Sequence, residues 1–255
     1  MMIYVYNGSF EGFLTAVFDC YSRSDFPVDI ISQKKEQKNM FAQRFEVPAD
    51  AKKADRVWKG VQKKMSVRNS QMLFYAFLSE EPGIEMKIYR FMRRLFAEQL
   101  NIETDFGDPD VLALTQVSQK VKKEAMRILQ FVRFQHTNEG LYFCGIEPRY
   151  DVIPLAVEHF RKRFADQRWL VYDLKRDYGV LYEHGQLEEV EISNKEFSAM
   201  TGKVNENIVE EGEEFYQKLW KSYFTNINIK ERKNLRLQRQ HMPRRFWKYL
   251  PEINQ

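Results

Sequence analysis

The chain predicts an α+β fold: a mainly antiparallel sheet with flanking helices, a helical insertion and a basic C-terminal extension. Three observations carry this. Residues 131–184 change hydrophobic period three times, a strand–turn–helix pattern opens the chain, and four helical patterns separate the two.

At the start, Ile3-Tyr4-Val5-Tyr6 alternates and stops at Asn7-Gly8, which predicts a short strand closed by a turn. Ser9 is placed to cap a helix in which Phe10, Phe13, Leu14, Val17, Phe18 and Tyr21 share one face. Phe26-Pro27 breaks that pattern. Asp29-Ile30-Ile31 and residues 41–47 read either as two short strands or as irregular chain.

Asp50 opens the next helix, with Val57, Trp58, Val61 and Met65 inward and Lys52, Lys53, Arg56, Lys59, Lys63 and Lys64 toward water. Such a lysine face is usually no more than solvated surface. Two further helical runs cover residues 72–78 and 84–100, and a fourth starts at Pro109, a favourable first-turn residue, and continues through Ile128.

The central block is where the periods change. Alternation around Phe131, Arg133 and Gln135, turn chemistry at Thr137-Asn138-Glu139-Gly140, then Leu141-Tyr142-Phe143-Cys144 give a hairpin signal. Val152, Leu155, Ala156, His159, Phe160 and Phe164 then recur at helical spacing. Residues 169–173 and 178–182 bracket Lys175-Arg176-Asp177 as a second hairpin. Beyond it, residues 188–192 read as a further strand, 193–207 as a loop and 209–224 as a helix with acids in its first turns. The resulting organisation is one α+β domain over residues 1–227, with the helical insertion at about 50–130, and a basic extension over residues 228–255.

Composition narrows the class. Apolar residues make up 44% of the chain and aromatics 15%, enough for a packed core. No run is long enough to cross a bilayer, and the opening MMIYVYNGSFEG has no basic region ahead of an apolar stretch, so a cytoplasmic protein without membrane partners is expected. Cys20 and Cys144 both sit in apolar patterns and read as reduced core residues. Two isolated cysteines cannot hold an iron–sulfur cluster or a cysteine-rich zinc site. HExxH, GxSxG, P-loop, GxGxxG and zinc-deaminase patterns are all missing, so neither a metal nor a cofactor is expected.

The net charge of +4 conceals an asymmetry. Residues 183–214 hold ten acids against Lys195 and Lys203, and residues 230–248 hold eight bases against Glu231. Within the second stretch, Arg232, Lys233, Arg236, Arg239, Arg244, Arg245, Trp247 and Lys248 are the candidate nucleic-acid contacts. Guanidinium groups fit phosphate oxygens, and Phe246, Trp247 and Tyr249 offer flat faces for an unstacked base. The competing reading docks Leu235, Leu237, Phe246 and Trp247 on the fold and pairs the arginines with the acidic segment.

Catalysis has weaker markers. Asp173 and Asp177 flank Lys175-Arg176 at the second hairpin's tip, where a carboxylate could act as acid, base or water-orienting group, although paired charges at hairpin tips are commonplace. His159, the remaining candidate, lies on an apolar helix face and reads first as a core or pocket histidine. Arg133, Arg163, Gln167 and Arg176 are the side chains placed to line a pocket in this block.

Several of these segments taken together carry a resemblance. Phe131-Val132-Arg133-Phe134, Ile146-Glu147-Pro148, His159-Phe160, Asp166-Gln167-Arg168-Trp169 and Tyr172-Asp173 are joined by Arg232-Lys233-Asn234 and Met242-Pro243-Arg244-Arg245-Phe246-Trp247. This set resembles a bacterial family of DNA-metabolism proteins built on a domain of unknown function. The resemblance implies DNA as a partner, and a radical S-adenosylmethionine protein of DNA repair or modification as a second. Some members are fused to a uracil-DNA glycosylase domain, which implies a glycosylase-like activity as the alternative to an accessory role. A third reading is a protein–protein adaptor that does not touch nucleic acid.

Overall fold

Alternation at the N-terminus produces β1 (Met2–Tyr6), with Tyr4 and Tyr6 fully buried. The Ser9 hydroxyl then accepts from the Gly12 amide at 2.9 Å and starts α1 (Phe10–Ser22), the cap its residue type predicts. The computed structural model describes residues 2–35, 43–97, 102–193, 197, 209, 218–219, 222 and 235–250. By contacts it divides into two compact units, Met1–Lys122 and Lys123–Gln255.

In the first unit, β2 (Asp29–Ser32) and β3 (Gln43–Val47) flank β1, and both run parallel to it, with Tyr4 opposite Ile30 and Phe45. The open choice at these residues is thereby decided in favour of strands. Asp50 caps α2 (Ala51–Lys64) by accepting from the Lys52 and Lys53 amides. The helix α3 (Val67–Phe77) begins earlier than its apolar run, because Ser66 supplies an N-cap to Asn69. The helix α4 (Ile84–Ala97) follows, then α5 (Pro109–Phe131), in which the boundary between the units falls. The core of this unit joins the inward faces of β1 and α1 to Val57, Val61, Leu73, Ile88, Met92 and Leu114.

The helix α5 runs through Phe131, which corrects the reading of Phe131 and Val132 as strand. Ile128 and Phe131 continue the buried stripe of Val117, Val121 and Ala125, and the Val132 amide still donates to the Ile128 carbonyl. A short alternating run therefore lost to the longer helical period that precedes it.

The second unit holds β4 (Gln135–His136), β5 (Tyr142–Ile146), α6 (Ile153–Arg163), β6 (Trp169–Asp173), β7 (Tyr178–Glu183) and β8 (Gln186–Val190). Their order in the sheet follows the chain. The β4–β5, β6–β7 and β7–β8 pairs are antiparallel, and β5–β6 is parallel. The fold is α+β as expected, but its sheets are not mainly antiparallel: one is parallel and one is mixed. The reason is connection length. Strands separated by a whole helix, as β1 and β2 are by α1 and β5 and β6 by α6, can return in the same direction, whereas tight turns force reversal.

Both cysteines are free and buried, and burial pushes each thiol up to about 12. No described helix is long and apolar enough to cross a membrane. The loop expected over 193–207 and the helix over 209–224 fall almost wholly outside the described residues. Val209 is described and bridges to Thr137. The chain resumes at α7 (Leu235–His241) and a 3-10 turn, Arg244–Tyr249.

Candidate functional site

Two places in the second unit gather the residues singled out above. The first is the tip of the β6–β7 hairpin. Asp173 ends β6 with no solvent exposure, and both of its carboxylate oxygens are occupied. Oδ1 accepts from the Lys175 and Arg176 amides at 2.9 and 3.1 Å, and Oδ2 accepts from Arg176 Nη1 at 2.8 Å. Burial pushes this carboxyl above its usual range while Arg176 and the two amides pull it back. Such a group shapes a turn and has little left for a substrate.

The turn is tied into its surroundings. Arg176 also donates to the Pro148 and Arg149 carbonyls, and Lys175 Nζ reaches the Arg149 carbonyl. Asp177 adopts a left-handed backbone, φ 61°, and accepts from the Tyr172 hydroxyl at 2.7 Å. The Tyr178 hydroxyl donates to Asp151. These contacts fasten the segment after β5 to the hairpin.

The second place is the C-terminal turn. Phe246 is buried and packs on Phe131, the last residue of α5, with ring centroids 5.4 Å apart. Leu250 is fully buried beside it in sequence order, and the Trp247 indole donates to the Met242 carbonyl at 3.0 Å. Arg245 is ion-paired with Glu124 of α5, a carboxylate only 2% exposed, whose other oxygen accepts from the Arg149 amide. Lys248 pairs with Glu147 at 2.5 Å.

The eight candidate nucleic-acid contacts are thus divided. Arg245 and Lys248 are held by glutamates, Trp247 is half-buried, and Arg236, Arg239 and Arg244 are exposed. Arg244 lies 5.9 Å from the Trp247 ring centroid. Arg232 and Lys233 lie outside the described residues. Burial removes Phe246 as a stacking surface, and burial also pushes the Tyr249 hydroxyl up. Of the apolar residues expected to dock the tail, Phe246 is buried and Trp247 half-buried but Leu237 is 50% exposed, and the acidic partners among the described residues are Glu124 and Glu147 rather than residues 183–214.

The remaining candidates separate by element. Arg133 donates to the Gln130 and Val132 carbonyls and closes the C-terminus of α5. Arg163 is exposed at the end of α6, over the Phe164 ring, and Gln167 follows in the loop to β6. His159 is exposed, not on the buried side that its spacing suggested, because Ala156 and Phe160 take the inward positions.

Glu124 was missed, yet it left a signal: it sits among Val117, Val121, Ala125 and Ile128 at core spacing, where a carboxylate demands a partner. The matching guanidinium lies 121 residues away, which no local pattern reveals.

A family model described as Domain of unknown function DUF4130 matches residues 82–252. The chain belongs to the DUF4130 family. The DUF4130 segment takes in α4, α5, the mixed sheet and the docked turn, and so contains both places just described. A comparison with curated proteins returned no match.

Proposed function

We propose that this DUF4130 protein is a DNA-associated accessory protein of DNA repair or modification that works with a radical S-adenosylmethionine partner. One observation carries the binding part: Arg244 is exposed at the start of a turn that Phe246, Leu250 and the Arg245–Glu124 pair anchor to the fold, and Arg236 and Arg239 are exposed on α7 just before it. An anchored set of guanidinium groups loses less entropy on meeting phosphate than a free tail does. DNA as the polyanion, and the partner, rest on the sequence resemblance.

An accessory role is favoured over glycosylase-like catalysis because the best-placed carboxylate, Asp173, has its oxygens filled by Arg176 and two amides. General acid–base work needs a group that can exchange a proton with substrate. The protein-adaptor reading uses the same exposed arginines against an acidic protein surface.

Fluorescence anisotropy with short single- and double-stranded DNA tests the binding part. The expected result is binding at low salt that the triple variant Arg236→Ala, Arg239→Ala, Arg244→Ala weakens at least about tenfold. Absence of binding by the unaltered protein rejects it. Co-purification with the radical enzyme that survives nuclease, but is lost in the triple variant, would point to the adaptor reading instead.

A further inference from the structure

The first unit contains a cavity of about 560 Å³ that the C-terminal arginines play no part in. Its walls come from the end of α1 with the following loop, residues 20–26, and from the outer face of α4, residues 89–97. That volume lies within the usual range for small-molecule sites.

The lining has three chemical components. Phe26 and Tyr21 are aromatic and solvent-exposed, 69% and 42%, although each belongs to a residue type that normally hides such surface. Tyr21 is held in place by edge contacts to Tyr89 and Phe96, with centroids 6.5 and 5.7 Å apart. Cations come from α4. Arg90 is neutralised by Asp110, and Arg94 by Asp105 and Asp108. Arg93 is exposed, has no carboxylate partner among the described residues, and lies 4.3 Å from the Phe26 ring centroid. The third component is Asp25. Its Oδ2 accepts from the Tyr4 hydroxyl at 2.8 Å and its carbonyl from the Tyr89 hydroxyl, which leaves Oδ1 without a protein donor among the described residues.

Exposed rings, a guanidinium with no carboxylate partner among the described residues and a carboxylate oxygen with no donor among them suit an aromatic phosphate ester. We infer that this cavity binds a nucleotide: the base packs on Phe26 and Tyr21, the phosphate meets Arg93, and Asp25 accepts from an exocyclic amino group. Aromatic packing is indifferent to base identity, so Asp25 supplies the preference for adenine or cytosine over uracil. The same chemistry is offered by a free mononucleotide and by an unpaired residue within a single strand.

Isothermal titration of the full chain tests this with adenosine monophosphate, cytidine monophosphate, uridine monophosphate, adenosine, inorganic phosphate and an adenine-rich decanucleotide. Adenosine and cytidine monophosphates are expected to bind with sub-millimolar Kd, and uridine monophosphate, adenosine and phosphate each about tenfold or more weakly. Phe26→Ala and Arg93→Gln should each weaken adenosine monophosphate about tenfold with an unchanged melting temperature, while the exposed Lys59→Ala on α2 has no effect. Decanucleotide binding with the same sensitivity to Phe26→Ala and Arg93→Gln assigns the site to a strand; monophosphate binding alone assigns it to a free nucleotide. No binding of adenosine monophosphate at millimolar concentration, or binding that ignores both substitutions, overturns the inference. Equal affinity for uridine monophosphate overturns the Asp25 contact.

Discussion

The Arg245 guanidinium closes on Glu124, a carboxylate of α5 that is almost inaccessible to solvent. With Phe246 packed at a tilt on Phe131, this pair ties the C-terminal turn into the second unit. Among the described residues, Arg245→Ala leaves Glu124 with the Arg149 amide and the more distant Arg127, 3.9 Å away. Arg245 is itself 40% exposed, so the cost should be moderate, about 1–3 kcal/mol. Chemical denaturation measures it, and Glu124→Gln should recover part of the loss in the double variant because the uncompensated charge is gone.

The hairpin tip behaves differently with pH. Burial raises the Asp173 carboxyl in the folded state, so protonation favours folding and that contribution fades as pH rises through the folded value. Arg176→Ala removes the main opposing pull and raises the carboxyl further. Its stability deficit against the unaltered protein should therefore grow as pH climbs through the raised folded range of this carboxyl, above the ordinary aspartate value of about 4. Denaturant midpoints collected at a series of pH values test this; a deficit independent of pH would contradict it.

Asp108 shows the opposite sign. It caps α5 by accepting from the Asp110 and Val111 amides, and Arg94 holds its other oxygen at 3.0 Å. The Val111 amide is the first cause of a carboxyl held below its usual range. Its stabilising contribution is present above the unfolded value and is lost as pH falls below about 4. Asp108→Ala should cost about 1 kcal/mol at neutral pH and progressively less under acid conditions.

Gly179 faces Tyr172 across the β6–β7 pair. A Cβ there would sit 2.6 Å from a ring carbon of Tyr172 and 2.8 Å from the Val171 carbonyl oxygen. Because one of these neighbours is backbone, the strand cannot simply yield. Gly179→Ala is expected to lower stability by about 1–3 kcal/mol, read from the denaturant midpoint.

Legibility in the sequence followed the range of the forces involved. Ser9, Asp50 and the stripes of α1, α2 and α4 act within a few residues, and their elements formed where pattern placed them. Strand direction depends on what lies between strands, so two hairpin signals around α6 gave no warning that β5 and β6 would pair in parallel. At the candidate site the exposed arginines were legible from composition. The pairing of Arg245 with Glu124 and Lys248 with Glu147 was not, because those partners lie 121 and 101 residues apart. Asp173 was legible as a charged turn residue, but only the fold shows that two amides and a guanidinium consume its oxygens.

We propose that the exposed arginines of the C-terminal segment meet DNA phosphate. It is tested most directly by the salt dependence of DNA affinity, compared between the unaltered chain and the Arg236→Ala, Arg239→Ala, Arg244→Ala variant. Each phosphate contact contributes about 0.9 to the magnitude of the slope of log K against log salt for duplex DNA and about 0.7 for a single strand. Loss of three contacts should flatten the slope by about 2 to 3. An unchanged slope, or no measurable affinity at low salt in the unaltered protein, would rule out DNA-phosphate contact by these arginines.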